Sequence, residues 1–242
     1  MNIPASPEEI TEDAVRHVKS IYKDLIKQFV PDINFKPQES TVSVFMAGSP
    51  GAGKTEFSTN LIEAVSVSGK FTGVVRIDPD DFRMLMPGYN GSNSSLFNKA
   101  CSLAVTKLHD YVLEKGLNFI MDGTFSDYKQ AKNNVERSLK RGRRVIVFYL
   151  YLDPIMAWDF TLAREKIEGR NIPKEVFIEK FFAAREVVNK VKDEFQNKIE
   201  LHAYKRDIAN KLYNPYLYID NVDKVIPSSY TPKELEKLLK LT

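Results

Sequence analysis

The residues whose chemistry is easiest to recognise are Gly48, Ser49, Pro50, Gly51, Ala52, Gly53, Lys54 and Thr55, which match the phosphate-binding pattern G-x-x-x-x-G-K-[ST]. In such a loop, backbone N–H groups point at one phosphate group, and the dipole of the following helix attracts the same charge. Lys54 would reach the β- and γ-phosphate oxygens, and Thr55 would hold Mg²⁺. The pattern therefore predicts a nucleotide site that takes ATP and Mg²⁺.

The sequence on either side of this loop predicts the secondary structure that the pattern requires. Residues 41–47 are mostly β-branched or apolar and predict a strand. Apolar residues recur at helical spacing between Phe57 and Val65, and Gly69 is positioned to end that helix. A strand before the loop and a helix after it argue against an accidental glycine-rich turn.

Polar residues end two further predicted strands. Asp78, Asp80 and Asp81 come at the end of the second strand, and Asp122 and Thr124 end the third. Because ligands bind beyond the carboxyl ends of parallel strands, these side chains should face the phosphate loop. One carboxylate would support Mg²⁺ through its water shell, and another would accept the proton of an attacking hydroxyl group. For any one of these aspartates, the alternative is a loop cap or turn former.

The positions of these aspartates in the sequence predict which of them supports Mg²⁺ and which contacts the substrate. Asp122 follows the apolar Phe119–Met121 and therefore resembles the Walker-B residue that supports Mg²⁺. Asp80 lies two residues beyond Asp78, so in extended backbone both side chains would point to the same side. We expect substrate binding by Asp78, Asp80, Arg83, Asp122 and Thr124, and metal binding by Thr55 and Asp122.

Phosphoryl transfer also needs mobile positive charge over the γ-phosphate. Arg164 and Arg170 lie in a charged helical region that is interrupted around residues 169–173, which makes 164–175 a candidate lid. The alternative for both arginines is a solvated helix face. A denser basic run at 140–144 is predicted to decorate a helix C-terminus and its loop, with contact to nucleic acid as its alternative.

Predicted strands and helices alternate along the chain. The strands are predicted at 41–47, 73–78, 118–124, 144–152, 198–204 and 212–220. This alternation predicts an α/β fold of the P-loop NTPase type, similar to nucleoside and shikimate kinases. Its sheet should be mostly parallel, with helices on both faces and right-handed crossovers.

Residues 1–40 are predicted to form a helical extension packed on a P-loop kinase domain at 41–242. Ser6 and Glu9 predict a capping box with Pro7 at the first helical position, and Pro31 should end this helix. Its apolar face predicts packing on the flank of the domain. A regulatory or partner-contacting role is the alternative.

Composition indicates an ordinary globular protein: the chain has 242 residues, of which 43% are hydrophobic and 28% charged. The formal net charge of +3 is too small to require nucleic acid as a partner. Cys101 is the single cysteine, so no internal disulfide can form, and no Cys/His cluster has zinc spacing. Because there is no signal pattern and no apolar run near ~18 residues, we expect a cytoplasmic protein without membrane contact.

The motifs between residues 40 and 205 resemble the zeta toxin family of small P-loop kinases. Besides the phosphate loop, Ile77–Phe82 matches the family's I-D-x-D-x-F signature, Met121–Thr124 ends the third strand where well-studied members have Glu-Gly-Thr, and Ile172–Lys174 follows the paired arginines. Known members phosphorylate the 3′-hydroxyl group of the sugar in UDP-N-acetylglucosamine. The resemblance therefore implies a kinase of a nucleotide sugar that acts as a toxin.

The resemblance also implies individual roles. The second aspartate of the signature is the family's base, which is Asp80 here, and the catalytic group includes Lys54, Arg164 and Arg170. The family's toxins are held inactive by a small helical antitoxin at the nucleotide site, so a similar partner is implied for this chain.

This chain departs from the family pattern at three substrate-contacting positions. Asp122 stands where well-studied members have glutamate, and Ser126 stands where they have arginine. Thr106 falls near a family glutamate on the preceding helix. Kinase chemistry therefore carries over, while the identity of the acceptor does not.

Two other functions stay open on the sequence. One is a kinase of nucleic-acid ends or of another nucleotide, for which the basic run at 140–144 is the extra support. The other is a non-catalytic P-loop switch, although the Asn-Lys-x-Asp element of guanine switches is absent from the sequence. Consumption of ATP with and without an acceptor would distinguish a switch from a kinase.

Overall fold

A six-stranded sheet organises the part of the chain that the computed structural model describes, residues 6–31, 35, 40–67, 73–210 and 212–239. Its strands are β1 (Val42–Ala47), β2 (Val75–Ile77), β3 (Phe119–Met121), β4 (Arg144–Tyr151), β5 (Glu200–Asp207) and β6 (Leu212–Tyr216). They lie in the order β2-β3-β1-β4-β5-β6, and every neighbouring pair except β5 and β6 is parallel. The predicted α/β fold with a mostly parallel sheet is therefore confirmed.

Helices precede, connect and follow these strands, and several of them begin at capping residues. They are α1 (Pro7–Phe29), α2 (Lys54–Val67), α3 (Pro79–Arg83), α4 (Asn98–Glu114), α5 (Tyr128–Leu139), α6 (Pro154–Glu168), α7 (Lys174–Phe195) and α8 (Pro232–Leu238), with 3₁₀ helices at Ser94–Phe97 and Gln196–Lys198. Ser6 and Glu9 form the predicted capping box of α1, and Asp153 and Thr231 cap α6 and α8. Gly69, predicted to end α2, lies outside the described residues. None of the described helices is long and apolar enough to cross a membrane.

Burial is greatest in the central strands because parallel strands are covered on both faces. Phe45 and Met46 of β1 and Tyr149 of β4 are almost completely buried. An edge-on contact between Phe45 and Phe119, with ring centroids 5.7 Å apart, joins β1 to β3. This packing holds the carboxyl ends of the strands side by side, where the polar residues follow.

Two segments differ from expectation. The chain becomes helical directly after Asp78, because Asp78 caps α3 and Pro79 is the first residue of that helix, which includes Asp80. The expectation that both aspartates point to one side of a strand is therefore wrong. The closing strand predicted at 212–220 ends early, at Tyr216, because Tyr218 takes a positive φ of 53° that a strand cannot accommodate.

Helix α1 packs with its apolar face against α4 and the adjacent 3₁₀ helix. Its buried residues Ala14, Val18 and Leu25 belong to the same hydrophobic core as the sheet. Phe29 at its end contacts Phe82 of α3, with ring centroids 4.7 Å apart. The N-terminal helix therefore supports the short helix that carries Asp80.

Candidate active site

The phosphate loop, residues 48–55, leads from the end of β1 into the first turn of α2. Its three glycines all have positive φ, which lets the chain curl between strand and helix. The Gly48 N–H group donates to the backbone oxygen of Thr124 at 3.2 Å and so fixes the loop to the chain beyond β3. The N-terminus of α2 and the end of β3 therefore meet at one edge of the sheet.

Lys54 is buried in this loop. Its ammonium group donates to the backbone oxygens of Gly48 at 3.1 Å and Ser49 at 2.7 Å. Burial lowers the pKa of Lys54 to about 8, against the opposing influence of the Asp122 and Asp78 carboxylates. A phosphate group on the loop would favour the charged ammonium, so the burial suits this lysine to an anionic ligand.

Arg76 of β2 connects three of the aspartates at this edge. Its guanidinium donates to Asp78 at 2.9 Å, to both oxygens of Asp81 at 2.6 and 2.7 Å, and to Asp122 at 3.4 Å. Sequence reasoning missed this residue, although an arginine between two buried apolar neighbours in a short strand was an available signal. Arg76 compensates the repulsion of the carboxylates and allows them to lie close together.

Asp78 is the most buried of the aspartates that follow β2. Burial, with the nearby Asp122 and Asp80 carboxylates, raises the pKa of Asp78 to about 7. Hydrogen bonding from the Asp80 N–H group and the charge of Arg76 oppose that rise. A carboxyl group that is partly protonated near neutral pH can donate as well as accept a hydrogen bond, which fits contact with a hydroxylated substrate.

Asp80 is surrounded by three arginines. Arg83, one turn along α3, and Arg170 both donate to its carboxylate, and Arg164 donates at 3.3 Å. Arg83 is buried and also donates to Asn98 Oδ1 at 3.0 Å, while its Nε lacks a hydrogen-bond partner among the described residues. The structure thus brings the predicted base together with both predicted lid arginines and Arg83.

Asp122 lies next to α2. Its carboxylate accepts a hydrogen bond from Ser58 Oγ at 2.9 Å, and the same hydroxyl lies 3.0 Å from the backbone oxygen of Thr55. The Thr124 hydroxyl pairs with Ser126 Oγ at 2.7 Å rather than with the aspartates. Thr124 is therefore the one predicted substrate-binding residue whose side chain contacts neither the aspartates nor the arginines of the site.

The predicted lid, residues 164–175, comprises the end of α6, the turn after it and the start of α7. Gly169 is the C-cap of α6, Arg170 follows it, and Pro173 is the N-cap of α7. A Cβ at Gly91 would lie 2.6 Å from the carbonyl carbon and oxygen of Gly169, so the loop after α3 touches the lid backbone directly. The charges of Arg164 and Arg170 lower the pKa of Lys54, which sets both arginines within electrostatic range of the phosphate loop.

The residues expected to hold Mg²⁺ fit that ion together with a nucleotide. Thr55 and Asp122 are linked through Ser58. The described ranges contain no group of three histidine, cysteine, aspartate or glutamate side chains that could hold a metal ion. Mg²⁺ at kinase sites takes one or two carboxylates, substrate phosphates and several waters, so a sparse set of protein ligands is suitable.

The basic run at 140–144 lies at the opposite end of the sheet. Arg144 begins β4, whereas the phosphate loop follows the end of the parallel strand β1. Arg143 is buried and donates to the Ser43 hydroxyl at 2.6 Å and to two backbone oxygens at 2.6 and 2.8 Å. Arg144 pairs with Glu200 through two hydrogen bonds of 2.6 and 2.7 Å. Lys140, the C-cap of α5, and the exposed Arg141 lie at the helix C-terminus and its loop as predicted, whereas Arg143 is a structural residue.

The chain matches a known protein family over most of its length. The zeta toxin family model matches residues 26–217, well over half of the chain. The chain belongs to the zeta toxin family. Comparison with curated proteins gives no match. Membership of the zeta toxin family supports a toxin that acts as a phosphotransferase.

Solved structures with a similar fold include toxin–antitoxin proteins. This zeta toxin family member is similar to a chain of the PezAT chromosomal toxin–antitoxin system of Streptococcus pneumoniae, at 15% identity and a TM-score of 0.65, with 98% of this chain and 96% of that chain covered. It is also similar to the AvrRxo1-ORF1:AvrRxo1-ORF2 complex with sulfate ions, at 14% identity and a TM-score of 0.60, over 93% of this chain and 77% of that chain. The same complex with ATP gives 15% identity and a TM-score of 0.57, over 88% and 67% of the two chains. At these identities the likeness shows the fold alone.

Proposed function

We propose that this protein is an ATP-dependent kinase that transfers the γ-phosphate to a hydroxyl group of a nucleotide sugar such as UDP-N-acetylglucosamine. The observation that carries the proposal is the contact of Asp80 with Arg164 and Arg170 at the sheet edge that also holds Lys54. A carboxylate for the acceptor hydroxyl, arginines for the γ-phosphate and a lysine in the phosphate loop are the parts that phosphoryl transfer needs.

In the proposed reaction, the phosphate loop binds the β- and γ-phosphates of ATP and Lys54 neutralises part of their charge. Arg164 and Arg170 leave the Asp80 carboxylate and bind the γ-phosphate. The carboxylate is then free to orient the acceptor hydroxyl. The acceptor oxygen forms a bond to the γ-phosphorus while the bond from that phosphorus to the β,γ-bridging oxygen breaks, and ADP leaves. The hydroxyl proton passes to Asp80 late, because the transition state is loose.

Thr55 and Asp122 are the residues that would hold Mg²⁺. When bound, Mg²⁺ supplies positive charge at the β- and γ-phosphate oxygens. Asp78, Arg83, Asp122 and Thr124 are proposed to contact the acceptor, with the free Nε of Arg83 offering one donor. Asp122 is one methylene shorter than the glutamate of well-studied members, so an assay needs several sugar nucleotides as acceptors.

The test is transfer of label from γ-labelled ATP to a panel of acceptors. The panel contains UDP-N-acetylglucosamine, other UDP-sugars, nucleosides and short oligonucleotides with free hydroxyl ends. We expect label in a nucleotide sugar with the parent protein and none with Lys54→Ala, which lacks the loop ammonium. Label in oligonucleotide ends alone, or ATP consumption that no acceptor changes, would contradict the proposal.

The panel also separates the two alternatives. A kinase of nucleic-acid ends receives less support from the basic run at 140–144, because Arg143 and Arg144 are engaged within the fold and lie away from the phosphate loop. A P-loop switch would bind ATP without labelling any acceptor. The contact of Asp80 with two lid arginines favours a catalytic site over a switch, because a switch has no need of a hydroxyl-orienting carboxylate.

We also propose that the activity is toxic and that an antitoxin protein restrains it. PezAT is described as a toxin–antitoxin system, and this chain belongs to the zeta toxin family. Expression of the parent chain in a bacterial host should arrest growth, while Lys54→Ala at equal abundance should not. Equal growth of the two cultures would argue against toxicity and leave the kinase assay to stand separately.

A further inference from the structure

A cluster of Arg206, Tyr213 and Phe160 lies beside the phosphate loop and has no part in the mechanism above. Arg206 lies near the end of β5, which is parallel to β4 and so ends at the edge of the sheet where β1 leads into the loop. The guanidinium carbon of Arg206 lies 5.7 Å from the ring centroids of Phe160 on α6 and of Tyr213 on β6. Three separate elements therefore hold a cation between two aromatic rings.

The cluster contacts the loop at Gly53. A Cβ at this position would lie 2.5 Å from an Nη atom of Arg206 and 3.4 Å from the Tyr213 hydroxyl oxygen, and Gly53 has a φ of 88°. The positive φ favours glycine here, and the guanidinium lies directly against this part of the loop. In such a loop the backbone N–H groups hold the α- and β-phosphates, while the lysine reaches the β- and γ-phosphates. Arg206 lies against Gly53 of the loop and pairs with Glu56 of α2, so it lies near the phosphates that the backbone holds.

The Tyr213 hydroxyl and the Arg206 guanidinium can each form a hydrogen bond to a ligand. The Tyr213 hydroxyl oxygen is buried and has no hydrogen-bond partner in the described part of the chain, which is unfavourable for a phenol. Arg206 pairs at 2.7 Å with Glu56, whose side chain is 54% exposed. A pair with a solvated carboxylate is weak and can be exchanged for a phosphate group. Phe160 is 42% exposed although it adjoins the site.

We propose that this cluster binds the nucleoside end of the donor nucleotide. Arg206 and the Tyr213 hydroxyl contact the α-phosphate, and the exposed face of Phe160 stacks on the base. The inference rests on the proposed function, because it takes the phosphates of the donor to occupy the loop. Stacking tolerates any base, since every base has an aromatic face, so the cluster favours nucleotides over inorganic polyphosphate without selecting ATP over GTP.

Binding of Mg·ATP and of Mg·tripolyphosphate to the full chain separates these contacts, because tripolyphosphate has three phosphates and no base. Phe160→Leu should weaken ATP binding about tenfold or more and leave tripolyphosphate binding unchanged. Arg206→Ala should weaken binding of both ligands about 10- to 100-fold, because it removes a charged contact to phosphate. Calorimetry on both ligands gives these dissociation constants directly.

Matched variants separate the proposed contacts from general damage. Lys205→Ala removes the same charge from the neighbouring position of β5, whose side chain points to the other face of the sheet, and should not change binding. Leu238→Ala removes a similarly exposed apolar side chain from α8, and should also bind both ligands as the parent does. Tyr213→Phe removes a hydroxyl that has no partner among the described residues. This variant should therefore melt at or above the temperature of the parent, yet bind ATP and tripolyphosphate more weakly.

Three binding results would contradict part or all of the proposed nucleoside site. Parent-like affinity of Phe160→Leu, Arg206→Ala and Tyr213→Phe for ATP would overturn it while the proposed function stands. Equal weakening of ATP and tripolyphosphate by Phe160→Leu would overturn stacking on the base. A parent protein that binds no ATP would overturn this inference and the proposed function together.

Discussion

Arg170 donates a hydrogen bond to the carboxylate of Asp80 across 90 positions of the chain. Arg170 lies on the turn between α6 and α7, and Asp80 lies on α3 after the second strand, so the contact draws the turn over the site. Arg164 adds a second contact from the end of α6. Asp80 is therefore both the residue proposed to orient the acceptor and the residue that anchors the lid arginines in this structure.

Replacement of Asp80 by asparagine should separate catalysis from nucleotide binding. Asp80→Asn keeps the size and one accepting oxygen but removes the charge that orients the hydroxyl group and receives its proton. We expect transfer to fall by about 10²–10⁴, the usual range for a positioned acid or base, while ATP affinity stays within a few fold. Single-turnover transfer and ATP binding measured on the same preparation provide the check.

Asp78→Asn is the matched comparison for that variant. Asparagine caps a helix about as well as aspartate, so α3 should keep its start at Pro79. The effect on transfer should be smaller than that of Asp80→Asn, because Asp78 is engaged by Arg76 and by the backbone of α3. Parent-like transfer by Asp80→Asn together with loss in Asp78→Asn would reverse the assignment of the base.

The lid arginines should act on the rate rather than on ATP affinity. If Arg164 and Arg170 stabilise charge on the transferring phosphoryl group, alanine at either position should lower kcat, by about 10³–10⁵ where one arginine carries that role alone. Arg170→Ala should have the larger effect, because Arg164 also binds Glu168 at 2.6 Å. Steady-state kcat and KM for ATP distinguish the two effects.

Lys166→Ala is the control for the lid variants, because Lys166 is an exposed cation on α6, the helix that carries Arg164 and ends just before Arg170. It should transfer phosphate at the parent's rate. A loss that appears in KM alone for Arg164→Ala and Arg170→Ala would mean that these residues only hold the nucleotide.

Gly91 offers a test of the closed lid. A Cβ at this position would collide with the backbone of Gly169, which directly precedes Arg170. Gly91→Ala should therefore displace the lid and lower kcat about 10- to 100-fold, since small misplacement of a catalytic group has effects of that size. The readout is kcat together with thermal melting, so that loss of activity is compared with loss of stability.

Gly88→Ala is an unusually close control for this variant. Gly88 has a φ of 79°, against 87° for Gly91, and a Cβ there would meet nothing within 4 Å. Both variants carry the strain of a positive φ, but only Gly91→Ala carries the collision. Equal activity of the two variants would show that contact between this loop and the lid has no role in transfer.

Local features of the site and fold could be predicted from sequence where a short motif determines them. The phosphate loop follows a strand and precedes a helix, and Ser6, Asp153 and Thr231 mark helix starts because capping needs only nearby backbone. The interruption around residues 169–173 separates α6 from α7 as predicted. In contrast, the helix after Asp78 was missed, because the run of acidic residues was interpreted as extended chain although proline after aspartate favours a helix start.

Contacts between distant segments could not be predicted in the same way. Arg76 meets carboxylates from the ends of two different strands, and that depends on the pairing of β2 with β3. The approach of Gly91 to Gly169 depends on where a loop and a helix end meet in the folded chain. The roles of Asp80, Arg164 and Arg170 stay predictions, although their proximity is now a geometric fact.

His109 should make the protein sensitive to mild acid. The ring is buried on α4, packs edge-on against Phe119 and has no partner for Nε2 among the described residues. Burial lowers the pKa of His109 to about 3, and the charges of Arg137 and Arg143 add to this effect. In the unfolded chain the same ring has a pKa of about 6.5.

Between these two pKa values the unfolded chain binds a proton that the folded chain does not, so stability is lost as the pH falls through about 6.5. From pH 7.5 to pH 5, this residue should reduce the free energy of unfolding of the parent by about 2 kcal/mol. His109→Gln removes that contribution and should flatten the dependence of stability on pH relative to the parent. Urea denaturation at a series of pH values measures both slopes, and parallel curves for the parent and His109→Gln would show that His109 is not the acid-sensitive group.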